Sequence, residues 1–226
     1  FDTKKRLLMN GVDVSTRYTM RSREMYQRYA TYIFRVVKAK MGNYLIFFPS
    51  YRFMEDVYQE FTQLLASDEE EMELVIQQKH MDEEERKNFL RAFEMGREKS
   101  LIGFGVLGGI FSEGIDLTNE KLIGTLIIGT GLPQVCNERE ILKSYFDQKG
   151  LYGFDYAYRY PGMNKVLQAA GRVIRTEDDR GVILLLDERF QKEKGKEIFP
   201  KEWADCERCR LDIVEEKIRL FWEKQT

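Results

Sequence analysis

The sequence has few of the residues that build disulfide frameworks or metal sites. It contains three cysteines, Cys136, Cys206 and Cys209, and one histidine, His80, among 226 residues. An odd number of cysteines without a secretion signal predicts reduced thiols. Cys206 and Cys209 have the spacing of half a metal site, but a four-ligand site would also need Cys136 and a non-sulfur donor. Free thiols near a C-terminal helix are the favoured interpretation, and no metal site is predicted in this chain.

Long apolar runs are also absent. No stretch approaches the roughly 18 residues of a membrane span, and the N-terminus lacks the charged, apolar and small-residue succession of a signal peptide. We therefore expect a cytoplasmic protein without a membrane partner. The chain begins at Phe1 instead of an initiator methionine, which favours a segment of a longer polypeptide.

The chain has no excess of positive charge, since its formal net charge is −2 at pH 7. This argues only weakly against nucleic-acid binding, because a domain that binds nucleic acid needs only a local basic or dipolar groove along the strand. The acidic residues concentrate in two clusters, at 68–73 and 82–85. We expect both clusters to lie on solvated helix ends, away from nucleic acid.

The signatures of a complete nucleotide site are missing. The sequence contains no GxxxxGK[ST] phosphate loop, and no DEAH-type acidic box follows a predicted strand. Those elements cradle the phosphates and hold magnesium in nucleoside triphosphatases. The chain alone is therefore not expected to bind a triphosphate with Mg²⁺.

The hydrophobic pattern predicts alternating strands and helices. Residues 19–40 have helical spacing of apolar positions, and residues 207–223 are predicted as a closing C-terminal helix. Between them the pattern predicts strands at 44–48, 74–77, 101–105, 122–128 and 182–186, and helices at 54–65, 82–95, 137–148 and 164–175. This alternation is typical of an α/β fold with a mainly parallel sheet flanked by helices. We expect residues 1–40 to form an extended lead-in and the amphipathic helix, and residues 41–226 to form the domain.

The most informative segment is QAAGRVIR at 168–175. In a helix it presents Gln168, Arg172 and Arg175 at i, i+4 and i+7 on one face. Arginine stays charged at any relevant pH and pairs bidentately with phosphate, so this face is a candidate phosphate site. Gly171 inside a helix costs about 1 kcal/mol relative to alanine, which predicts that another group approaches the backbone there. The alternative is an ordinary surface helix with two solvated arginines.

Three segments together resemble a known family. QAAGRVIR with the following DRGVILLLDERF resembles the last conserved motif of superfamily two helicases, in the iron-sulfur-associated group that includes DinG and XPD. GIFSEGIDL at 109–117 resembles the fifth motif of that family, and NYLIFFPSYR at 43–52 resembles its fourth. Their order implies the second RecA-like motor domain, which is half of a motor.

The resemblance gives the arginines a role in phosphoryl transfer. Arg175 is the first choice for an arginine finger on ATP, with Arg172 beside it on the phosphates and Gln168 orienting the group. A salt bridge within the domain is the alternative role for Arg172.

The resemblance also assigns a role to the loop of the fifth motif. In related motors this loop links the nucleotide cleft to the bound strand, and that role passes to Glu113, Gly114 and Asp116. Glycine lets the backbone approach a ligand, and carboxylates suit a ribose hydroxyl or an arginine. Alternatively, Glu113 caps the following turn and Asp116 only orients Arg172.

Two segments are candidates for nucleic-acid binding. Ser50, Tyr51 and Arg52 combine a hydroxyl, a stacking ring and a charge after the first confident strand. Arg159 lies in the aromatic stretch at 152–160, where base stacking is possible, although core packing is favoured for at least half of those rings.

The resemblance implies the C-terminal motor domain of an ATP-dependent DNA helicase. The expected partners are a first RecA-like motor domain of the same polypeptide, which binds most of the ATP and Mg²⁺, and single-stranded DNA with 5′ to 3′ translocation. An iron-sulfur cluster would belong to that first domain and not to this chain. The residues themselves show neither direction nor DNA in preference to RNA. The alternative is a catalytically silent module that binds single-stranded nucleic acid or protein and keeps the RecA-like fold.

Overall fold

The core of the molecule is one parallel sheet. A computed structural model describes residues 3–68, 71–94, 98–111, 122–174, 179–191 and 197–225. Seven strands of the described residues form the sheet in the order β3-β4-β2-β5-β6-β1-β7, and every pairing is parallel. They are β1 Arg6–Gly11, β2 Asn43–Phe48, β3 Met72–Ile76, β4 Ser100–Val106, β5 Gly124–Ile128, β6 Gly181–Leu186 and β7 Glu207–Cys209. Parallel pairing brings the carboxyl ends of all seven strands to one edge.

Helices cover both faces of the sheet. The described α-helices are α1 Arg23–Ala39, α2 Tyr51–Ala66, α3 Glu83–Arg91, α4 Asn137–Gln148, α5 Tyr160–Ala170 and α6 Val214–Glu223. One apolar cluster joins the sheet to α1, α2 and α6, and a second cluster joins the opposite face to α3 and α5. Because both faces are covered, β2, β5 and β6 are buried along their whole length, which explains their continuous apolar sequences. The predicted α/β fold with a parallel sheet flanked by helices is confirmed.

The first strand corrects the prediction for the N-terminal segment. Residues 6–11, taken as part of an extended lead-in, form β1 inside the sheet, paired with β6 from Arg6↔Gly181 to Gly11↔Leu186. The apolar run is interrupted by Asn10, which is buried and donates a hydrogen bond from Nδ2 to the carbonyl of Asp187 at 3.2 Å. A buried polar residue with a backbone partner removes the signal by which a buried strand is recognised.

The C-terminal prediction is also corrected. The helix predicted over 207–223 begins only at Val214, and Glu207–Cys209 forms the edge strand β7 beside β1. A three-residue strand with exposed Glu207 and Arg208 has no alternating pattern long enough to separate it from a charged helix.

Two glycines let the loop after β5 contact the start of α5. A Cβ atom at Gly162 would lie 2.7 Å from the carbonyl oxygen of Thr130, and one at Gly131 would lie 2.5 Å from the carbonyl oxygen of Gly162. Gly131 also has φ +67°, which disfavours other residues. These contacts fix α5 against the carboxyl edge of β5.

Candidate functional site

The segment 168–175 is a helix end instead of one helix. Gln168 lies exposed in the last turn of α5, which ends at Ala170. The Gly171 N–H donates to the carbonyl of Leu167 at 2.9 Å, and the Arg172 N–H donates to that of Ala169 at 3.2 Å, in a turn that leaves the helix. The prediction that one helix face presents both arginines with Gln168 is wrong, because Arg172 follows the end of the helix. Glycine is unfavourable in a helix interior, and here it occupies the cap position.

No other described segment approaches Gly171. A Cβ atom there would meet only the carbonyl oxygens of Leu167 at 3.3 Å and Gln168 at 3.7 Å, both in the preceding turn. The close approach expected at this glycine is therefore absent among the described residues. Arg172 is partly buried, with its Nε atom enclosed, and the next residue, Val173, packs in the core. The turn that carries Arg172 is thus anchored on the sheet.

Four predicted site residues lie outside the described residues. These are the candidate arginine finger Arg175 and the three residues of the fifth motif, Glu113, Gly114 and Asp116. Among the residues assigned to nucleotide chemistry, the structure places Gln168 and Arg172.

The loop that precedes the fifth motif contacts α5. Gly108 follows β4 with φ +75°, and a Cβ atom there would lie 2.9 Å from the Cδ and Cε atoms of Lys165. Lys165 is on α5, three residues before Gln168, so the loop after β4 and the helix that carries the last motif are neighbours. Nothing in the sequence relates Lys165 to Gly108, so this contact was not predicted.

The three residues of the fourth motif differ in their contacts. The hydroxyl of Ser50 accepts a hydrogen bond from the Phe53 N–H at 3.3 Å and thereby caps α2. The hydroxyl of Tyr51 accepts a hydrogen bond from Nε2 of Gln77 at 2.8 Å. Arg52 is exposed on the first turn of α2 and makes no ion pair within the part of the chain that the structure describes. Arg52 is therefore the member of this group best placed to meet a ligand.

A cleft opens beside Tyr51 at the carboxyl edge of the sheet. It lies where β2, β3 and β4 end and has a volume of ≈ 540 Å³. Its wall contains Tyr51, the loop from Gln77 to Asp82, the first turn of α3 with Glu85 and Arg86, and the pair Gly109 and Ile110. This cleft was not predicted from the sequence, because it forms where three separate loops meet.

Arg159 lies in a helical hairpin, formed by α4 and the π-helical turn at Asp155–Arg159, that is not part of the sheet. α4 has no buried residue and packs on a π-helical turn at Asp155–Arg159, where the Tyr158 hydroxyl donates to Glu140 at 2.5 Å. The guanidinium of Arg159 pairs with Asp155 at 2.7 Å, and its side chain is only 12% exposed. An arginine so enclosed is poorly placed for the nucleic-acid contact predicted for it.

The aromatic rings of this stretch divide between surface and interior. Tyr152 and Tyr160 are 55% and 42% exposed, whereas Tyr158 is buried. The rings of Phe154 and Tyr158 stack with centroids 5.1 Å apart. Packing within the helical hairpin therefore accounts for part of the aromatic content.

A buried ionic network closes the same edge at β6 and β1. Asp187, which follows β6, is fully buried, and its carboxylate accepts hydrogen bonds from the Thr16 N–H at 3.0 Å, the Thr16 hydroxyl at 2.8 Å and Arg189 Nε at 2.8 Å. Burial alone would raise the pKa of Asp187. The hydrogen bonds and charge of Arg189, with the backbone N–H groups, hold that pKa below its ordinary value.

The cysteines do not form a pair. Cys209 is buried in the cluster that contains α1, and Cys206 packs against the cluster on the other face of the sheet. Burial raises the pKa of the Cys209 thiol to about 12. Among the described residues, no three His, Cys, Asp or Glu side chains are grouped to hold a metal ion. An iron-sulfur cluster takes four cysteines, so the three of this chain do not fit one.

Within the described ranges, none of the helices has the length and apolar content to cross a bilayer.

Comparisons with known proteins agree on one family. The helicase C-terminal domain family matches residues 33–206. The ATP-dependent DNA helicase XPD of Sulfolobus acidocaldarius is 30% identical over 186 residues, which cover 80% of this chain and 31% of that protein. A probable ATP-dependent helicase of Methanocaldococcus jannaschii is 26% identical over 226 residues, which cover 95% of this chain and 33% of that protein. The chain thus spans about a third of the length of these relatives.

A solved structure of apo XPD has the same fold. It superposes with a TM-score of 0.72 at 24% sequence identity, covering 91% of this chain and 40% of that chain. The match over residues 33–206, together with the parallel sheet and the segment 168–175, places the chain in the helicase C-terminal domain family, as a RecA-like domain of the DinG and XPD type.

Proposed function

We propose that this chain is the second motor domain of an ATP-dependent DNA helicase. The observation that carries the proposal is the position of Arg172 on an anchored turn directly after α5, in a RecA-like sheet of this family. The names of the relatives, an ATP-dependent DNA helicase and a probable ATP-dependent helicase, support the activity.

In this proposal ATP and Mg²⁺ are bound mainly by a first RecA-like domain of the same polypeptide. Phosphoryl transfer to water depends on positioning and on neutralising charge at the γ-phosphate. Arg175 acts as the finger that reaches the γ-phosphate when the two domains close, Arg172 contacts the phosphates beside it, and exposed Gln168 orients the group. Because the cations come from the second domain, hydrolysis is coupled to domain closure.

In this proposal the loop of the fifth motif connects the binding sites of ATP and single-stranded DNA. Glu113, Gly114 and Asp116 follow the segment at 108–109, and Gly108 contacts Lys165 of α5. That contact supports a common site for the fifth and last motifs. In this proposal the loop links the nucleotide cleft to the bound strand of DNA.

Single-stranded DNA lies along the carboxyl edge of the sheet in this proposal. Exposed Arg52 contacts a phosphate, and the ring of Tyr51 lies beside it. Ser50 caps α2 and contributes by holding the loop in shape. Arg159, paired with Asp155, contributes to the hairpin, and the exposed rings of Tyr152 and Tyr160 are the part of that stretch open to a base. Translocation is expected to run 5′ to 3′.

The test uses the full-length protein and measures ATP hydrolysis and strand separation together. An arginine finger contributes a factor of about 10³ to 10⁵ in rate, so Arg175→Ala should abolish DNA-stimulated turnover while single-stranded DNA is still bound. Arg172→Ala should also lower turnover strongly. Arg180→Ala is the matched control, because this exposed arginine donates to the backbone carbonyl of Gln225 at 2.5 Å.

Two results would contradict the proposal. Normal turnover in both Arg172→Ala and Arg175→Ala would remove these arginines from catalysis. DNA binding without any stimulated ATP hydrolysis by the unmodified full-length protein would favour the catalytically silent binding module. The isolated chain should show negligible ATP hydrolysis, because it lacks a phosphate loop; DNA-stimulated turnover by the purified chain would refute that expectation.

A further inference from the structure

The segment around the helical hairpin concentrates exposed apolar side chains. Eight of the fourteen large apolar side chains that are exposed among the described residues lie in this segment. They are Leu132, Val135, Ile141, Leu142, Tyr145, Leu151, Tyr152 and Tyr160. Single exposed apolar residues are normal on a protein surface, whereas a concentration of them marks a contact surface. Three of the eight, Ile141, Leu142 and Tyr145, lie on one side of α4, which we call the outer face of α4.

Charged side chains of α4 are directed to the opposite side. The guanidinium of Arg139 donates to the carbonyl of Ala157 at 2.7 Å, and the carboxylate of Glu140 accepts from the Tyr158 hydroxyl at 2.5 Å. A surface helix usually has the reverse arrangement, with its apolar side chains directed inward and its charges in water. In α4 these charged groups hold the helical hairpin together, and the outer face is left apolar.

The helical hairpin is fixed at its base but not along α4. The close contacts of Gly131 and Gly162 hold the start of α5 against the loop after β5, and Tyr158 is buried just before α5. In contrast, α4 has 12 residues and none of them is buried. A helix of this length is marginal in water unless one of its faces is packed. The π-helical turn packs on one side of α4, while the three side chains of the outer face are each at least 39% exposed.

The composition of the outer face and the length of related proteins favour one occupant. A nucleic acid needs a cationic surface, whereas the outer face consists of three apolar side chains. The chain covers only 31% and 33% of the two relatives described above, so proteins of this family contain further domains. A domain of the same polypeptide is present at an effective concentration of about millimolar when the linker is short, whereas a second copy must be met from solution.

We propose that the outer face of α4 is covered by an amphipathic helix from another domain of the same polypeptide. The inference rests on the proposed function, in which this chain is one domain of a longer motor protein. Ile141, Leu142 and Tyr145 lie at i, i+1 and i+4 and form a ridge along α4. Such a ridge packs into the groove of a second helix at an interaxial distance of about 8–10 Å. The helical hairpin thereby joins the carboxyl edge at β5 to a second domain.

The experiment compares backbone hydrogen exchange in the full-length protein before and after the outer face is made polar. In Ile141→Ser/Tyr145→Ser, the amides of α4 should exchange about tenfold faster, and so should those of one helix outside residues 1–226. The amides of β2, β5 and β6 should be unchanged, because neither side chain belongs to the apolar clusters on the sheet. Leu220→Ser is the matched control, since Leu220 is 46% exposed on α6. This control should leave the exchange of both helices unchanged.

Two further measurements identify the other occupants. Light scattering should give the same molar mass for the double variant and the unmodified protein. A dimer that the double variant dissociates would assign the outer face to a second copy and overturn the proposal. Affinity for single-stranded DNA should also be equal in the two proteins. A loss of that affinity without faster exchange outside residues 1–226 would assign the outer face to nucleic acid and would equally overturn the proposal.

The remaining outcomes separate this inference from the proposed function. Faster exchange confined to α4, or no change at all, would overturn the interface even if the unmodified protein hydrolyses ATP in response to DNA. Faster exchange in a helix outside residues 1–226, without DNA-stimulated hydrolysis by the unmodified protein, would support the interface and contradict the proposed function. If exchange in β2, β5 and β6 also rises, the double variant has damaged the fold, and the single variant Tyr145→Ser decides by the same criteria.

Discussion

The two halves of the carboxyl edge use charge in opposite ways. At β6 and β1, Asp187 and Arg189 bind each other and Thr16, and the carboxylate is fully buried. At β2, β3 and β4, Lys79 and Arg86 face an open cleft without a carboxylate partner among the described residues. One half of the edge directs its charges inward to hold loops together, while the other exposes them to solvent in an open cleft. A charged residue at the carboxyl edge of a sheet therefore does not by itself indicate a binding role, because the partners of each charge determine what it does.

The largest loss of stability is expected from removing the buried carboxylate of Asp187. Asp187→Ala leaves the partly buried Arg189 and the Thr16 hydroxyl without their acceptor, so the free energy of unfolding should fall by about 3 kcal/mol. Denaturant titration of the isolated chain measures this free energy of unfolding. Glu188→Gln is the control, since that neighbouring side chain is partly exposed and accepts from the Ser15 hydroxyl at 3.2 Å. An Asp187→Ala chain as stable as the control would show that the two halves of the edge do not differ in this way.

Acid should reduce the stability contributed by the buried carboxylates near β6 and β1. The folded state lowers the pKa of Asp187, despite the burial that raises it, and lowers that of Asp13 through hydrogen bonds from Tyr32 and Arg28. A depressed folded pKa contributes stability above the ordinary carboxyl pKa of about 3.9, and that contribution is lost as pH falls through the folded value. Unfolding measured from neutral pH downward should show the loss, and Asp187→Asn should reduce its size. An equal acid response in both proteins would exclude Asp187 as its source.

A smaller effect is expected at the start of α2. Arg52→Ala in the full-length protein should reduce the salt slope for single-stranded DNA by about 0.7, if Arg52 neutralises one phosphate. Arg23→Ala is a suitable control, because Arg23 is exposed but pairs with Glu60 at 2.8 Å. An unchanged slope would remove Arg52 from the interface.

The smallest effect on stability is expected from neutralising Lys79 and Arg86, the cations that line the cleft beside Tyr51. Lys79→Gln and Arg86→Gln should each change the free energy of unfolding by less than about 0.5 kcal/mol, because exposed cations without partners stabilise little. The same denaturant titration applies. A loss near that of Asp187→Ala would mean that the cleft cations support the fold, and the contrast between the two halves would disappear.

The sequence alone predicts the parts of the fold whose signal is local. Residues 44–48 and 182–186 form long apolar runs because both faces of the sheet are covered, and both strands were predicted correctly. β1 was missed because Asn10 interrupts its apolar run. β7 was missed because three residues are too few to show an alternating hydrophobic pattern. The end of α5 was missed because helical spacing of Gln168, Arg172 and Arg175 outweighed the stop signal of Gly171.

The candidate site was less predictable, for a physical reason. The family resemblance offers Arg172 and Gln168 as candidates from the sequence, and their roles stay predictions. The cleft depends on the meeting of α2, the loop after β3 and the loop after β4, and the Asp187 network joins residues 171 positions apart. Contacts of that range depend on the order of strands in the sheet, which no single motif encodes. The roles of Arg175, Glu113, Gly114 and Asp116 remain predictions.

The side chain of Gln77 has a mechanical consequence. It links the end of β3, the last residue of β4 and the first residue of α2 through two hydrogen bonds, at 2.9 and 2.8 Å. Tilting α2 away from the sheet would break the partly buried hydrogen bond between Gln77 and Tyr51, which is costly because Gln77 itself is buried. This corner should consequently move as one rigid unit, so that any displacement of α2 carries the ends of β3 and β4 with it.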